Sequence, residues 1–338
     1  MPRISATTSM LILAIGLAGT AYSQAKMTDD LPVRVEVEKV SKPGVWEPTG
    51  AGRQVPLWPA STPLAKPDSG DRPEETGNGS SLVGGRKWYW ASNVTRPTMT
   101  IYRPRARNTG TTLVVFPGGG FEVVAMDLEG TEICDWATLR GMTCVVLKYR
   151  VPQEWPLYNG VNQRRPEVLL ALQDAQRTMG LLRHGASAYG IDPDKIGVIG
   201  FSAGAYLAAN LSNTAERTYK PADAADQASC RPNFAIIAYT GRLWDPRNAK
   251  TNLGLAPWVK VDAKAPPTLL IHAMNDPVDD VREPMAYALA LQEAGVPVDL
   301  RIYAKGGHAY GLRPADDPIS TQWPGQVEQW MQNIGMLK

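Results

Sequence analysis

The stretch KIGVIGFSAGAYLAANL, residues 195–211, decides how the chain is read. An apolar, β-rich run from Ile196 to Phe201 gives way to a helical pattern from Ala205 to Leu211, and Ser202 stands at the junction between Gly200 and Gly204. The spacing is G-x-S-x-G, in which small flanking residues allow a sharp strand-to-helix turn that holds a serine Oγ exposed. Taken alone, the five residues are also compatible with a plain tight turn; the strand–turn–helix context favours a nucleophile.

A serine hydroxyl needs a base, and the base needs an orienting carboxylate, so the reading demands an Asp or Glu and a His later in the chain. His308 follows the last predicted strand in the glycine-rich AKGGHAYG. His184, at the end of a predicted helix, and His272, inside a strand run, precede the elbow or lie within the sheet and read as structural. Between Ser202 and His308, LLIHAMNDPVDD ends its apolar run before Asp276, Asp279 and Asp280. Asp276 is first after the strand and Pro277 fixes its turn, so it is the expected carboxylate, with Asp279 as runner-up; Asp279 and Asp280 are expected to cap the next helix near Val281. The order Ser, Asp, His is that of the α/β hydrolases. Acyl transfer also needs N–H donors for an oxyanion, and the FPGGG loop supplies them. The expected set is the N–H groups of Gly119, Gly120 and Ala203.

Around this centre the chain alternates. TTLVVFPGGG, TCVVLKYRV, NFAIIAYTG, PPTLLIHAMND and VDLRIYAKGGH read as strands beside the one carrying Ser202. Helices are expected from Glu129 to Leu139, from Pro166 to Gly185, over REPMAYALALQEAG, and near 321–337. Strands alternating with helices predict a mostly parallel central sheet covered by helices on both faces. Residues 1–23 carry Arg3, an apolar stretch and the small-x-small pattern Ala21-Tyr22-Ser23, which reads as a secretory signal peptide; no later segment approaches a membrane span, so no membrane insertion is expected. Residues 24–85 are rich in Pro, Gly and Ser and are expected to form an arm packing on the main domain through Trp46, Leu57 and Trp58. Residues 86–338 are the expected catalytic domain.

The 338 residues carry 35 Lys and Arg against 33 Asp and Glu, interspersed, for a formal charge of +2. That balance offers no basic stripe for nucleic acid. Cys134, Cys144 and Cys230 allow at most one intrachain disulfide, and with three separated histidines neither a metal nor a cofactor is expected.

Several stretches together, VPLWP, NVTRPTMTIYRP, VVFPGGGFEVVAMDLEGTEICDW, VVLKYRVP, DAQRTMGLLR, YGIDPDKIGVIGFSAGAYLAA and HAMNDPVDD…GGHAYG, run from about residue 55 to 311. They resemble the bacterial α/β-hydrolase esterases related to acetylxylan and feruloyl esterases, within the dienelactone-hydrolase-like group. The resemblance implies a secreted serine esterase acting on acyl groups carried by plant cell-wall sugars such as xylan. The signal peptide alone leaves secreted and periplasmic both open. With no long apolar segment that reads as a lipase lid or a groove for fatty chains, short acyl groups, acetyl above all, are expected. The resemblance places the nucleophile at Ser202, the carboxylate at Asp276, the base at His308 and the oxyanion loop at Gly118 to Gly120. Two departures are visible: Pro117 stands where lipase-like relatives carry His, and Ser202 where dienelactone hydrolases use Cys. Trp155, Tyr158, Trp244 and Trp258 lie in segments expected near the carboxyl ends of the strands and are candidates for stacking on a sugar, core packing being the alternative. A feruloyl esterase, a serine exopeptidase and a non-catalytic carbohydrate-binding protein of the same fold are the competing readings. The exopeptidases carry a large repetitive β-domain that residues 24–85 cannot form, and the intact Ser202, Asp276 and His308 argue against the non-catalytic one. Composition and motifs are silent on oligomeric state.

Overall fold

A computed structural model describes residues 35–153, 168–214, 216–247, 252–313 and 319–338. All fall within the compact unit Leu31–Lys338. Three short strands come first: β1 (Ser41–Pro43), β2 (Arg53–Pro56) and β3 (Glu75–Asn78). They are followed by β4 (Tyr89–Ser92), β5 (Thr98–Tyr102), β6 (Thr112–Phe116) and β7 (Val123–Ala125). A π-helical turn, Asp127–Thr131, leads into α1 (Glu132–Leu139) and β8 (Thr143–Lys148). Next come α2 (Leu169–His184), α3 (Ala186–Tyr189), β9 (Ile196–Phe201) and α4 (Ala203–Asn213). The chain continues through β10 (Ala235–Ala238), β11 (Thr268–Ala273), α5 (Arg282–Glu293), β12 (Val298–Tyr303) and α6 (Ile319–Asn333).

Eight strands form the main sheet in the order β12-β11-β10-β9-β6-β8-β5-β2. The six from β12 to β8 run parallel, and β5 and β2 are added antiparallel at one edge. β6, β8, β9, β10 and β11 are buried at every position, as strands covered on both faces must be. Their Val, Ile and Leu runs suit that burial, because no position faces water and no alternation is needed. The second sheet, antiparallel, is β1-β3-β4-β7.

The described part of the segment expected as an arm, residues 35–85, is built into both sheets. β2 pairs with β5 from Arg53↔Ile101 to Pro56↔Thr98, and β1 and β3 belong to the second sheet. Leu57 and Trp58 are buried in the core. The Trp58 Nε1–H donates to the buried Asp174 carboxylate at 2.8 Å, and Arg177 Nε–H donates to the Leu57 carbonyl at 2.9 Å. Asp174 also receives the Arg150 guanidinium at 2.9 Å, so the aromatic ring and a buried ion pair share one acceptor.

Two sequence expectations shift. The helix expected from Glu129 begins instead as a π turn, with α1 following at Glu132. Side chains explain the wider turn: Asp127 is drawn to the Tyr89 and Leu128 amides and Glu129 into the interior. Of the two expected caps of α5, only Asp280 serves, accepting the Arg282 N–H at 2.9 Å; Asp279 turns toward the candidate site. Cys134 and Cys144 form a disulfide joining α1 to β8, and Cys230 is a buried free thiol. Among the described residues, no helix is long and apolar enough to cross a membrane.

Candidate active site

The chemistry gathers at the carboxyl ends of the parallel strands, where chain must leave one strand for a helix or a loop. Ser202 follows β9 directly with φ 51° and ψ −118°, a conformation unusual for a residue with a Cβ. The flanking glycines are required by packing. A Cβ on Gly200 would lie 2.1 Å from the Gly204 carbonyl oxygen, and one on Gly204 would lie 2.0 Å from that of Phe116. The elbow thus presses against β6, and only glycine fits on either side of the serine.

His308 and Asp276 meet Ser202 from two other loops. His308 Nδ1–H donates to Asp276 Oδ2 at 2.7 Å, which leaves Nε2 to accept the Ser202 hydroxyl at 2.9 Å. Asp276 is fully buried, and its other oxygen accepts the Val278 and Asp279 amides at 2.8 and 3.0 Å, so the turn around Pro277 aims Oδ2 at the imidazole. Asn275 completes the frame: its Oδ1 accepts the Gly306 and Gly307 amides, both at 3.0 Å, and so ties the loop after β12 to the loop after β11. The runner-up carboxylate, Asp279, is 3.9 Å from His308 Nδ1.

Electrostatics follow from this crowding. Burial pulls the His308 imidazole down, but the hydrogen bond and charge of Asp276, then the charges of Asp279 and Glu129, hold it above its ordinary range. Burial raises Asp279 to about 6. His272, at the end of β11, is buried and held low; its Nε2 lies 3.0 Å from the Asp279 carbonyl oxygen, a structural contact. His184 is exposed at the end of α2.

The loop after β6 turns its carbonyls away from the serine. Pro117 O accepts the Tyr149 hydroxyl at 2.6 Å, Gly118 O the Ala125 amide, and Gly119 O the amides of Glu122 and Val123. Gly119 sits at φ 123°, where a Cβ would meet the Val123 carbonyl oxygen at 2.3 Å. Gly118 N–H is committed to Glu129, whereas the N–H groups of Gly119, Gly120 and Ala203 have no acceptor among the described residues. A cavity of about 330 Å³ opens over these atoms, lined by Trp88, Gly119, Gly120, Ser202, Asp279 and His308, with Arg242 beside them. Larger cavities of about 560, 670 and 470 Å³ lie elsewhere, and none of the three is lined by a serine or a histidine among the described residues.

The aromatic candidates fare differently. Trp244 is buried, its indole N–H donating to Asn252 O at 2.9 Å and its ring under the Arg282 guanidinium. Trp258 donates to Arg242 O at 3.2 Å. Neither lines the cavity, which corrects their expected place on the substrate; both brace the segment that carries Arg242. Trp155 and Tyr158 lie outside the described residues. Trp88, Glu129, Arg242 and Asn275 were not singled out by sequence. No motif marks them, and only Trp88, an apolar ring in the polar context RKWYW, carried any signal.

The model of the prolyl oligopeptidase family matches residues 172–333, and the family described as BD-FAE matches residues 99–241. The crystal structure of an acetyl ester-xyloside bifunctional hydrolase from Caldicellulosiruptor lactoaceticus is similar, with TM-score 0.64 and 26% identity over 85% of this chain and 98% of that one. The fold is that of the α/β hydrolases. This chain is also 26% identical over 246 residues to an acetylxylan esterase of Xylanibacter ruminicola, covering 67% of this chain and 45% of that protein. It is 28% identical to endo-1,4-beta-xylanase B of Butyrivibrio fibrisolvens, over 65% of this chain and 35% of that protein. The chain spans about half the length, or less, of these curated relatives. It resembles the acetylxylan esterases, and the similarities support a carboxylic ester hydrolase of the α/β-hydrolase type. Among the described residues, no group of three or more His, Cys, Asp and Glu is arranged to hold a metal ion.

Proposed function

We propose that the chain is a serine carboxylesterase that removes short acyl groups, acetyl above all, from carbohydrate esters. The observation that carries it is the continuous hydrogen-bonded line from Ser202 Oγ through His308 to Asp276, with Gly119 and Gly120 lining the cavity beside Ser202. In the reaction Ser202 Oγ bonds to the acyl carbon while His308 Nε2 takes its proton, and the oxyanion accepts the N–H groups of Gly119, Gly120 and Ala203. The imidazolium then protonates the leaving sugar oxygen, and the acyl-enzyme forms. Water, deprotonated by the same nitrogen, releases the carboxylate and restores the serine.

A cavity of about 330 Å³ with Trp88 as a wall supports a short acyl group and an exposed acceptor. The likeness to an acetylxylan esterase and to an acetyl ester-xyloside hydrolase supports the sugar. The first 23 residues support export, and the Cys134–Cys144 disulfide suits an oxidising compartment. One match favours a second reading, a serine exopeptidase: the prolyl oligopeptidase family covers all three residues of the line.

Assays on p-nitrophenyl esters of increasing chain length, acetylated xylan, methyl ferulate and an aminoacyl p-nitroanilide separate these. The expected order is highest kcat/KM on acetyl esters, falling from butyrate to octanoate, with acetylated xylo-oligosaccharides ahead of alkyl esters because sugar binding contributes to positioning. Preference for octanoate overturns the short-acyl reading, preference for methyl ferulate replaces it with a feruloyl esterase, and cleavage of the anilide alone moves the protein to the peptidases.

A further inference from the structure

The triad leaves one buried acid unexplained. Glu129 is 2% exposed, on the π-helical turn between β7 and α1. Burying a carboxylate is costly unless something requires it there, and π turns recur at functional sites. Its Oε2 accepts the Gly118 amide at 2.8 Å, and its Oε1 accepts the Tyr239 hydroxyl at 2.8 Å. A Cβ on Gly118 would fall 2.6 Å from Oε2, 2.8 Å from the Phe201 carbonyl oxygen and 3.0 Å from Ser202 Cβ, so the oxyanion loop is wedged between this carboxylate and the elbow.

Tyr239, just past β10 at φ 39°, sets its ring edge-on to His308 with centroids 5.0 Å apart. Among the described residues, no Lys or Arg pairs with Glu129. Burial raises its pKa, and the Tyr239 hydroxyl, the Gly118 amide and the charge of His308 pull it back down, so its charged form depends on those contacts; Asp127 and Tyr149 also face it. The positive charge that acts on it among the described residues is the imidazolium, which itself faces Asp276, Asp279 and Glu129, with Arg242 acting on Asp279.

We propose that Glu129 is a positioning residue for both halves of the site: its carboxylate clamps the oxyanion loop through the Gly118 amide and places a second anion behind the imidazolium of His308. This rests on the esterase reading above. The clamp fixes Gly118 so that the next two amides point at the acyl oxygen without reorganising during the reaction. The charge favours the protonated form of His308, the form produced when Ser202 gives up its proton, so it is expected to act mainly on kcat.

The test separates clamp from charge. Glu129→Gln keeps the shape and the clamp, its amide oxygen accepting the Gly118 N–H, while its NH₂ donates to the Tyr239 oxygen and the Tyr239 hydroxyl proton loses its acceptor. It is expected to fold as the wild type, with kcat on p-nitrophenyl acetate reduced roughly tenfold and KM little changed. The acid limb of kcat/KM is expected to move down by about half a pH unit, since a neutral neighbour no longer favours the imidazolium. Glu129→Ala frees the loop as well and is expected to lose on the order of 100-fold in kcat, the scale of one lost oxyanion donor. An unmoved acid limb in Glu129→Gln, at whatever rate, overturns the electrostatic half. A folded Glu129→Ala with kcat within about threefold of wild type overturns the clamp. Should that variant fail to fold, a Glu129→Gln enzyme with wild-type kcat and limb overturns the whole. Ser202→Ala, run in parallel, keeps the two failures apart: retained activity there sinks the serine reading itself.

Discussion

At the scale of single residues, the turn after β11 presents two carboxylates to one imidazole, and distance decides between them. Asp276 Oδ2 is 2.7 Å from His308 Nδ1 and hydrogen-bonded; Asp279 Oδ2 is 3.9 Å away and is not. Under the proposed mechanism, Asp276→Asn is expected to lower kcat by roughly 10⁴-fold, because the imidazole loses the acceptor that sets its tautomer. Asp279→Asn removes only a nearby charge and is expected to cost roughly tenfold or less. Steady-state kinetics on one acetyl ester compare the two, and an exchange of their effects overturns the assignment. With His308 held above its ordinary 6.5, the acid limb of kcat/KM belongs above that pH, since the base must be neutral to accept the serine proton. Ser202, Asp276 and His308 were legible because each follows an apolar run at a position defined by chain order. Glu129 and Asn275 were not, because they hold backbone amides, and Glu129 also the Tyr239 hydroxyl, on other segments of the chain.

At the scale of elements, the segment after β10 that carries Arg242 is held by α5. Glu283, in the first turn of that helix, is buried and accepts the Leu243 and Trp244 amides at 2.6 and 2.7 Å. Burial raises its pKa from 4.5 to about 8, against the pull of those two amides. A carboxyl whose folded pKa lies above its unfolded one contributes stability that is whole below the unfolded value and is lost as pH rises through the folded one. That contribution of Glu283 should therefore decline by about 1.4 kcal/mol per pH unit from about 4.5 and be exhausted above about 8. Glu283→Gln, which cannot titrate, should flatten that part of the Tm-versus-pH curve, and an equally steep curve in the variant refutes the assignment. Glu283→Ala leaves two buried amides without an acceptor and should destabilise by about 2–4 kcal/mol in urea unfolding. The strands and helices of this half were readable from periodicity. The π turn at Asp127–Thr131 was not, because the carboxylates that widen it answer to Tyr89 and Gly118, outside the window any local pattern spans.

At the scale of the whole molecule, residues 35–85 are structural. Trp58 packs edge-on to Tyr219 at 4.7 Å and donates to Asp174, the same carboxylate that neutralises Arg150. Trp58→Ala is expected to cost about 3–5 kcal/mol, and Trp58→Phe about 1–3 kcal/mol for the lost hydrogen bond to a buried charge. Chemical denaturation measures both, and a neutral Trp58→Ala means the segment is dispensable. Composition had marked these residues as an arm because Pro and Gly erase periodicity, while strand pairing to β5 needs only backbone in register and leaves almost no trace in residue type. The parallel sheet, its alternation with helices and the serine elbow could be read from residue order, since burial on both faces imposes unbroken apolar runs and a sharp turn imposes glycine. Which carboxylate faces the imidazole, which tryptophan walls the cavity and which side chain accepts the Gly118 amide were settled by folding, because each depends on distances between segments separated by many residues, and no local pattern encodes those.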